Sequence, residues 1–137
     1  MDDRLLVVRR YEGGGYRPLI DFASWRVAIL RWDPSMEPDQ ITFMERHTET
    51  DEVFVLLRGK AKLILGGNST SVEDINAQEL EACSLYNVKQ NAWHTVILSE
   101  DATILIVEES NTGKTNTEYC DLAKKFKQTI IDLNNNG

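Results

Sequence analysis

A chain of 137 residues is long enough for one hydrophobic core and too short to divide comfortably, which predicts a single domain over residues 1–137. Its 15 basic against 22 acidic residues leave a formal net charge of -7, which repels polyanions, and no basic stripe with interleaved aromatics offsets it; nucleic acid is excluded as an expected partner. No apolar run approaches the ~18 residues needed to cross a bilayer, so no membrane partner is expected either.

The first residues, Met1-Asp2-Asp3-Arg4, are acidic, and Arg9-Arg10 interrupts the apolar stretch from Leu5 to Val8. That pattern is not a secretory signal, and the expected location is cytoplasmic. Cys83 and Cys120 lie far apart with no CxxC spacing, so both are read as free thiols. Between Ala82 and Leu85, Cys83 reads as a buried packing residue.

Taken in order, Leu5 to Arg10 predicts a short first strand, and Gly13 to Gly15 a flexible loop. Trp25 to Trp32 is a β-branched and aromatic run that Asp33-Pro34 ends within eight residues, too short for a helix. From Gln40 onward, Ile41, Phe43, Glu45 and His47 share one face at period two, while Thr42, Met44 and Arg46 take the other. Glu52 to Leu57 is nearly continuous and reads as a strand buried on both sides; Gly59 permits a bend, Lys60 to Leu65 continues, and Gly66-Gly67-Asn68 turns.

Ser69 to Glu79 is polar and acidic, the pattern of a surface loop or an irregular strand pair. Three more strands fall at Ser84 to Val88, Ala92 to Leu98 and Thr103 to Glu108, and strands so short and evenly spaced predict an antiparallel sandwich or barrel. Leu122, Phe126, Ile130 and Leu133 then recur at helical spacing and predict a C-terminal helix over about 117–133, with Asn134 to Gly137 as a frayed cap and tail. Trp25, Trp32, Trp93, Phe43, Phe54 and Tyr86 are assigned mostly to the core, with the lining of a ligand pocket as the alternative for an aromatic at a barrel mouth.

Chemistry concentrates in Glu45-Arg46-His47-Thr48-Glu49-Thr50-Asp51-Glu52, with the second histidine, His94, far downstream. Two neighbouring positions on one β face, followed by a third donor after a tight loop, bring carboxylate and imidazole groups to one point. Glu45, His47 and Glu52 satisfy that pattern, and His94 supplies a further donor at the start of another strand. Against this stands the plain alternative of a solvated acidic turn, which suits Glu49 and Asp51 best. Clustered carboxylates repel, so inward-facing ones require a cation or Arg46. Arg58, Lys60 and Lys62 read as water-facing or edge-protecting charges.

The pattern Glu45-x-His47-x4-Glu52-x6-Gly59 resembles the first motif of the cupins, with Glu45 in place of the first histidine. His94, three residues after Asn91 and five after Lys89, is similar to the histidine of the second cupin motif, where a proline and a glycine usually stand at those places. Asp39 and Cys83 occupy positions of the usual opening glycines, and Leu98 that of a closing asparagine. A register one residue shorter in the loop would instead put Arg46 and Thr48 in the two histidine positions.

The resemblance spans about Gln40 to Leu98 and implies an all-β fold, the antiparallel double-stranded β-helix or jelly-roll barrel, over about 17–109. It implies a divalent metal ion held by His47, Glu52 and His94, with Glu45 as a fourth ligand or as a catalytic carboxylate that moves protons beside the ion. Such a donor set suits iron, manganese, zinc or nickel. The expected partner is a small polar metabolite, and the expected assembly is a homodimer. A metal-independent cupin that binds a sugar or carboxylate, and a dimeric scaffold without chemistry, are the alternatives; one barrel hosts many functions.

Overall fold

A computed structural model describes residues 1–135. Two antiparallel five-stranded sheets pack face to face. The first sheet has the order β1 (Gly15–Phe22), β2 (Trp25–Arg31), β9 (Thr103–Glu109), β4 (Glu52–Arg58) and β7 (Tyr86–Val88). The second runs β10 (Thr117–Asp121), β3 (Phe43–His47), β8 (His94–Leu98), β5 (Ala61–Leu65) and β6 (Asn76–Glu79), and a helix, α1 (Lys124–Asn135), follows. From β2 onward almost every connection crosses between the sheets, which is the winding of a jelly roll with a C-terminal helix.

Side-chain alternation fills the space between the sheets. Antiparallel pairing of β4 with β9 sets Leu56 opposite Ile104 and Phe54 opposite Ile106, and these rungs pack with Ala28, Leu30, Leu63 and Leu98 as an apolar plug. One rung further the same inward face carries Glu52 and Glu108, so the plug gives way to a polar mouth. The barrel's chemistry therefore sits at one end because the ladder changes character there.

A second apolar cluster lies on the outer face of the second sheet, where Met44, Ile64, Trp93 and Ile97 meet Leu122 and Ile130. The helical spacing of Leu122, Phe126, Ile130 and Leu133 provides this contact, and Lys62 Nζ donates to the Leu133 carbonyl at 2.7 Å near the helix end. The bend after β4 needs glycine. Gly59 has φ +76°, and a Cβ there would lie 2.6 Å from the Ala102 Cα.

Several expectations are corrected. Leu5 to Arg10 forms no strand: among the described residues its backbone finds no neighbour to pair with and its apolar side chains stay exposed, and the edge strand is β1 instead, with a register shift between Pro18 and Ile20. Glu52 to Leu57 is not buried on both sides, because Val53 and Val55 are half-buried and Leu57 exposed on the outer face. Cys83 is exposed, at φ +69° in a turn where a side chain projects outward. Trp93 and Phe54 are core residues, whereas Trp25 and Phe43 are 43% and 44% exposed.

The segment at 117–121 pairs with β3 as strand β10, so the helix begins later than its apolar spacing suggested. Part of Ser69 to Glu79 forms β6. Of the expected frayed tail, Asn134 and Asn135 complete the helix, and Asn136 and Gly137 lie outside the described residues.

Candidate functional site

Strand register positions each donor. On β3, Glu45 and His47 point inward while Met44 and Arg46 point outward. Arg46 stacks 4.3 Å over Trp93 and pairs with Glu118 on the outer surface, which rules out the register that would have put Arg46 among the donors. Pairing of β3 with β8 sets Glu45 opposite His94, and pairing with β10 sets His47 opposite Thr117. Glu52 enters from β4 of the facing sheet. Three strands from two sheets thus converge on one mouth.

The loop between His47 and Glu52 is held to the turn that precedes His94. Asp51 accepts from Lys89 Nζ at 2.7 Å and from the Gln90 amide at 2.8 Å, while the Asn91 amide donates to the His47 carbonyl. Asn91, at φ +68°, adopts the left-handed conformation where the family resemblance places a glycine. The acidic turn is thus structural at Asp51, whose carboxyl is lowered first by the Lys89 hydrogen bond.

At the centre, Glu52 Oε1 lies 3.1 Å from His47 Nε2 and 3.0 Å from His94 Nε2. All three residues are buried. The far nitrogens are engaged as well: His94 Nδ1 donates to the Ala92 carbonyl at 2.9 Å, and His47 Nδ1 lies 2.9 Å from the Thr117 hydroxyl. These contacts fix both rings with Nε2 toward one point. Glu45 stands at the edge of the cluster, its carboxylate 3.8 Å from His47 Nε2 and 39% of its side chain exposed to the cavity.

Burial and charge pull in opposite directions. Burial on its own would lower both histidines, but the hydrogen bond and charge of Glu52 outweigh it and hold them above the ordinary value. Burial would likewise raise Glu52, yet hydrogen bonds from the two imidazoles keep its carboxyl well below the usual range. The three form an anion between two cation-prone rings.

Four neighbours were not singled out by sequence. Glu108, on β9, is buried, accepts a hydrogen bond from the Tyr16 hydroxyl and lies 3.7 Å from Arg26. Desolvation and the charge of Glu52 push it up to about 7. Arg26 also reaches the Thr112 carbonyl at 3.1 Å, tying β2 to the segment before β10. Thr117 orients His47. The available signal for Glu108 was parity, since it follows Ile104 and Ile106 on one face and is the single charge on that face.

Above the cluster opens a cavity of about 570 Å³, with Tyr16, Arg26, Glu45, His47, His94 and Glu108 among its walls. Leu30, Met36, Phe54 and Ile106 give it an apolar side, and Phe43 and Tyr119 stand edge to face across its rim at 5.5 Å. A cavity of this size accepts a small metabolite. Donor atoms of Glu45, His47 and His94 lie within 4.8 Å of one another, as do those of His47, Glu52 and Glu108. Mixed imidazole and carboxylate donors at that spacing fit a divalent transition metal.

No protein-family model and no curated protein matches the chain. Solved structures do. A cupin-2 domain protein from Shewanella frigidimarina is similar over 72% of this chain and 84% of its own, with 17% identity and a TM-score of 0.51. A variant of Pac13 from Streptomyces with uridine bound gives 10% identity over 86% and 88% of the two chains and a TM-score of 0.57; Pac13 is described as a nucleoside dehydratase. The QdtA 3,4-ketoisomerase from Thermoanaerobacterium thermosaccharolyticum, a double mutant in complex with TDP, gives 19% identity, 79% and 72% coverage and a TM-score of 0.54. With two antiparallel sheets, a jelly-roll winding and a C-terminal helix, the chain has the cupin fold.

Proposed function

We propose that this protein binds a divalent metal ion at the mouth of the barrel, through His47, Glu52 and His94 with the Glu45 carboxylate next to the ion, and a small polar metabolite in the cavity above it. The observation that carries this reading is the convergence of two buried imidazoles, each aimed by a contact on its far nitrogen, on the Glu52 carboxylate. Donor chemistry favours iron, manganese, zinc or nickel. When bound, such an ion acts as a Lewis acid on a substrate carbonyl or hydroxyl oxygen. Glu45, at the cavity edge, is the residue placed to move a proton beside that oxygen. Leu30, Phe54 and Ile106 restrict water on the inner wall.

The neighbours' ligands, uridine and TDP, make nucleosides and nucleotide sugars the first compounds to test. The aromatic pair Phe43 and Tyr119 gives the rim a surface for a flat ring. The working unit is taken to be a homodimer in the cytoplasm. A second reading has its own support: Glu52 bridges both Nε2 atoms, an arrangement in which the histidines hold and release protons themselves.

Elemental analysis of protein purified without chelator separates the two. The metal reading expects roughly one ion per chain, lost in both His47→Ala and His94→Ala, and a thermal shift with uridine or TDP that grows when metal is added. Protein that carries no ion, takes none up on dialysis against manganese or zinc, and yet still shows the ligand shift would replace the metal reading with the proton-transfer one.

A further inference from the structure

Glu108 has no assigned role, and its position is costly. The β4–β9 register sets Val53 opposite Val107 with both side chains on the outer face, so the next rung puts Glu52 and Glu108 face to face on the inner one. Both are buried, at 5% and 6% exposure. Like charges directly across an antiparallel ladder repel, and burial strengthens the repulsion. The guanidinium of Arg26 is 3.7 Å from Glu108 Oε1, and the Tyr16 hydroxyl donates to that same oxygen. Neither contact falls on Oε2. His47 Nε2 and the two carboxylates lie within 4.8 Å of one another, all three buried.

We propose that Glu108 is a ligand of the same divalent ion, so that the cation is held between both sheets by a Glu52–Glu108 pair together with His47 and His94. This rests on the metal reading above and extends it to a residue outside the two motifs. An ion seated on the rung neutralises the facing carboxylates and accounts for their both pointing inward. Tyr16 and Arg26 then orient Glu108 through Oε1 and leave Oε2 for the metal. Glu45, more exposed and further out, is correspondingly the carboxylate that faces the metabolite.

The test compares wild type, Glu108→Gln, Tyr16→Phe and His47→Ala in the full chain, each stripped with chelator and titrated with manganese and with zinc against a chromophoric competitor. Expected is at least a tenfold weaker metal affinity for Glu108→Gln, a smaller loss of about threefold for Tyr16→Phe, which frees Glu108 from one of its two orienting contacts, and loss of binding for His47→Ala. Thermal unfolding gives the second readout. At pH 8, where both carboxylates are ionised, metal-free Glu108→Gln should melt no lower than wild type, because one of the two facing charges is gone, while its metal-induced upshift shrinks. Affinity and upshift unchanged in Glu108→Gln, with His47→Ala still losing the metal, would overturn the role of Glu108 and leave the metal reading standing. Wild type that binds neither metal would overturn both.

Discussion

Glu52 holds a buried negative charge that its two imidazole neighbours favour, and it returns the effect by raising their pKa above the ordinary histidine value. These shifts give the metal-free protein a defined pH response. His47 and His94 are raised from 6.5, so the stabilisation from their charged forms is complete below that value and is lost as pH rises through their folded values. Glu108, raised from 4.5 to about 7, keeps a proton in the fold that the unfolded chain has released, so it too drains stability as pH climbs through that window. Glu52 is lowered from 4.5, and its contribution disappears as pH falls through its folded value. Melting in the presence of chelator should therefore peak near about pH 4.5 to 5, where the Glu52 gain is nearly complete and the Glu108 loss has only begun, and decline toward about pH 8. A melting temperature that climbs steadily from pH 6 to pH 8 would contradict this account of the cluster.

At the scale of elements, the helix and the strand that carries His47 depend on one another. Met44, on the outward side of β3, packs with Ile130 of α1, and both are fully buried. Ile130→Ala should cost about 2–5 kcal/mol in urea unfolding, through lost transfer energy and the cavity left behind. A loss under 0.5 kcal/mol would mean that the helix is not part of the folded unit.

The period-two reading of Phe43, Glu45 and His47 was legible because one strand's parity is written in adjacent residues. So was the helix face. The strand expected at Leu5 to Arg10 failed for a different reason: β propensity cannot supply a neighbour, and among the described residues no strand pairs with that segment. Glu108 escaped notice because its partner is set by pairing between strands about fifty residues apart, information that no local spacing contains. Thr117 was hidden in the same way, within a stretch whose downstream apolar spacing favoured helix.

The whole molecule is asymmetric in how its outer faces are covered. The second sheet has the helix. The first presents Val27, Ile29, Val53, Val55, Leu105 and Val107, half-buried, flanked by Phe22 and Trp25, which are 68% and 43% exposed. A contiguous apolar face on central strands is a common mark of a protein interface, and in the proposed homodimer a second copy presenting the same face would supply the matching surface. Light scattering should give twice the chain mass for wild type, and Val55→Lys with Leu105→Glu should halve it without unfolding the barrel. Wild type that scatters as a single chain at micromolar concentration would remove the dimer.

The β4–β9 ladder carries one more consequence. Below the mouth its inward rungs are aliphatic or aromatic, and a further apolar pair in place of Glu52 and Glu108 would extend the plug, each buried side chain adding roughly 1.5–3 kcal/mol. This barrel gives up that reinforcement. Its most heat-resistant relative by design would be one whose mouth has been closed with hydrocarbon, and that molecule would have no charged opening at all.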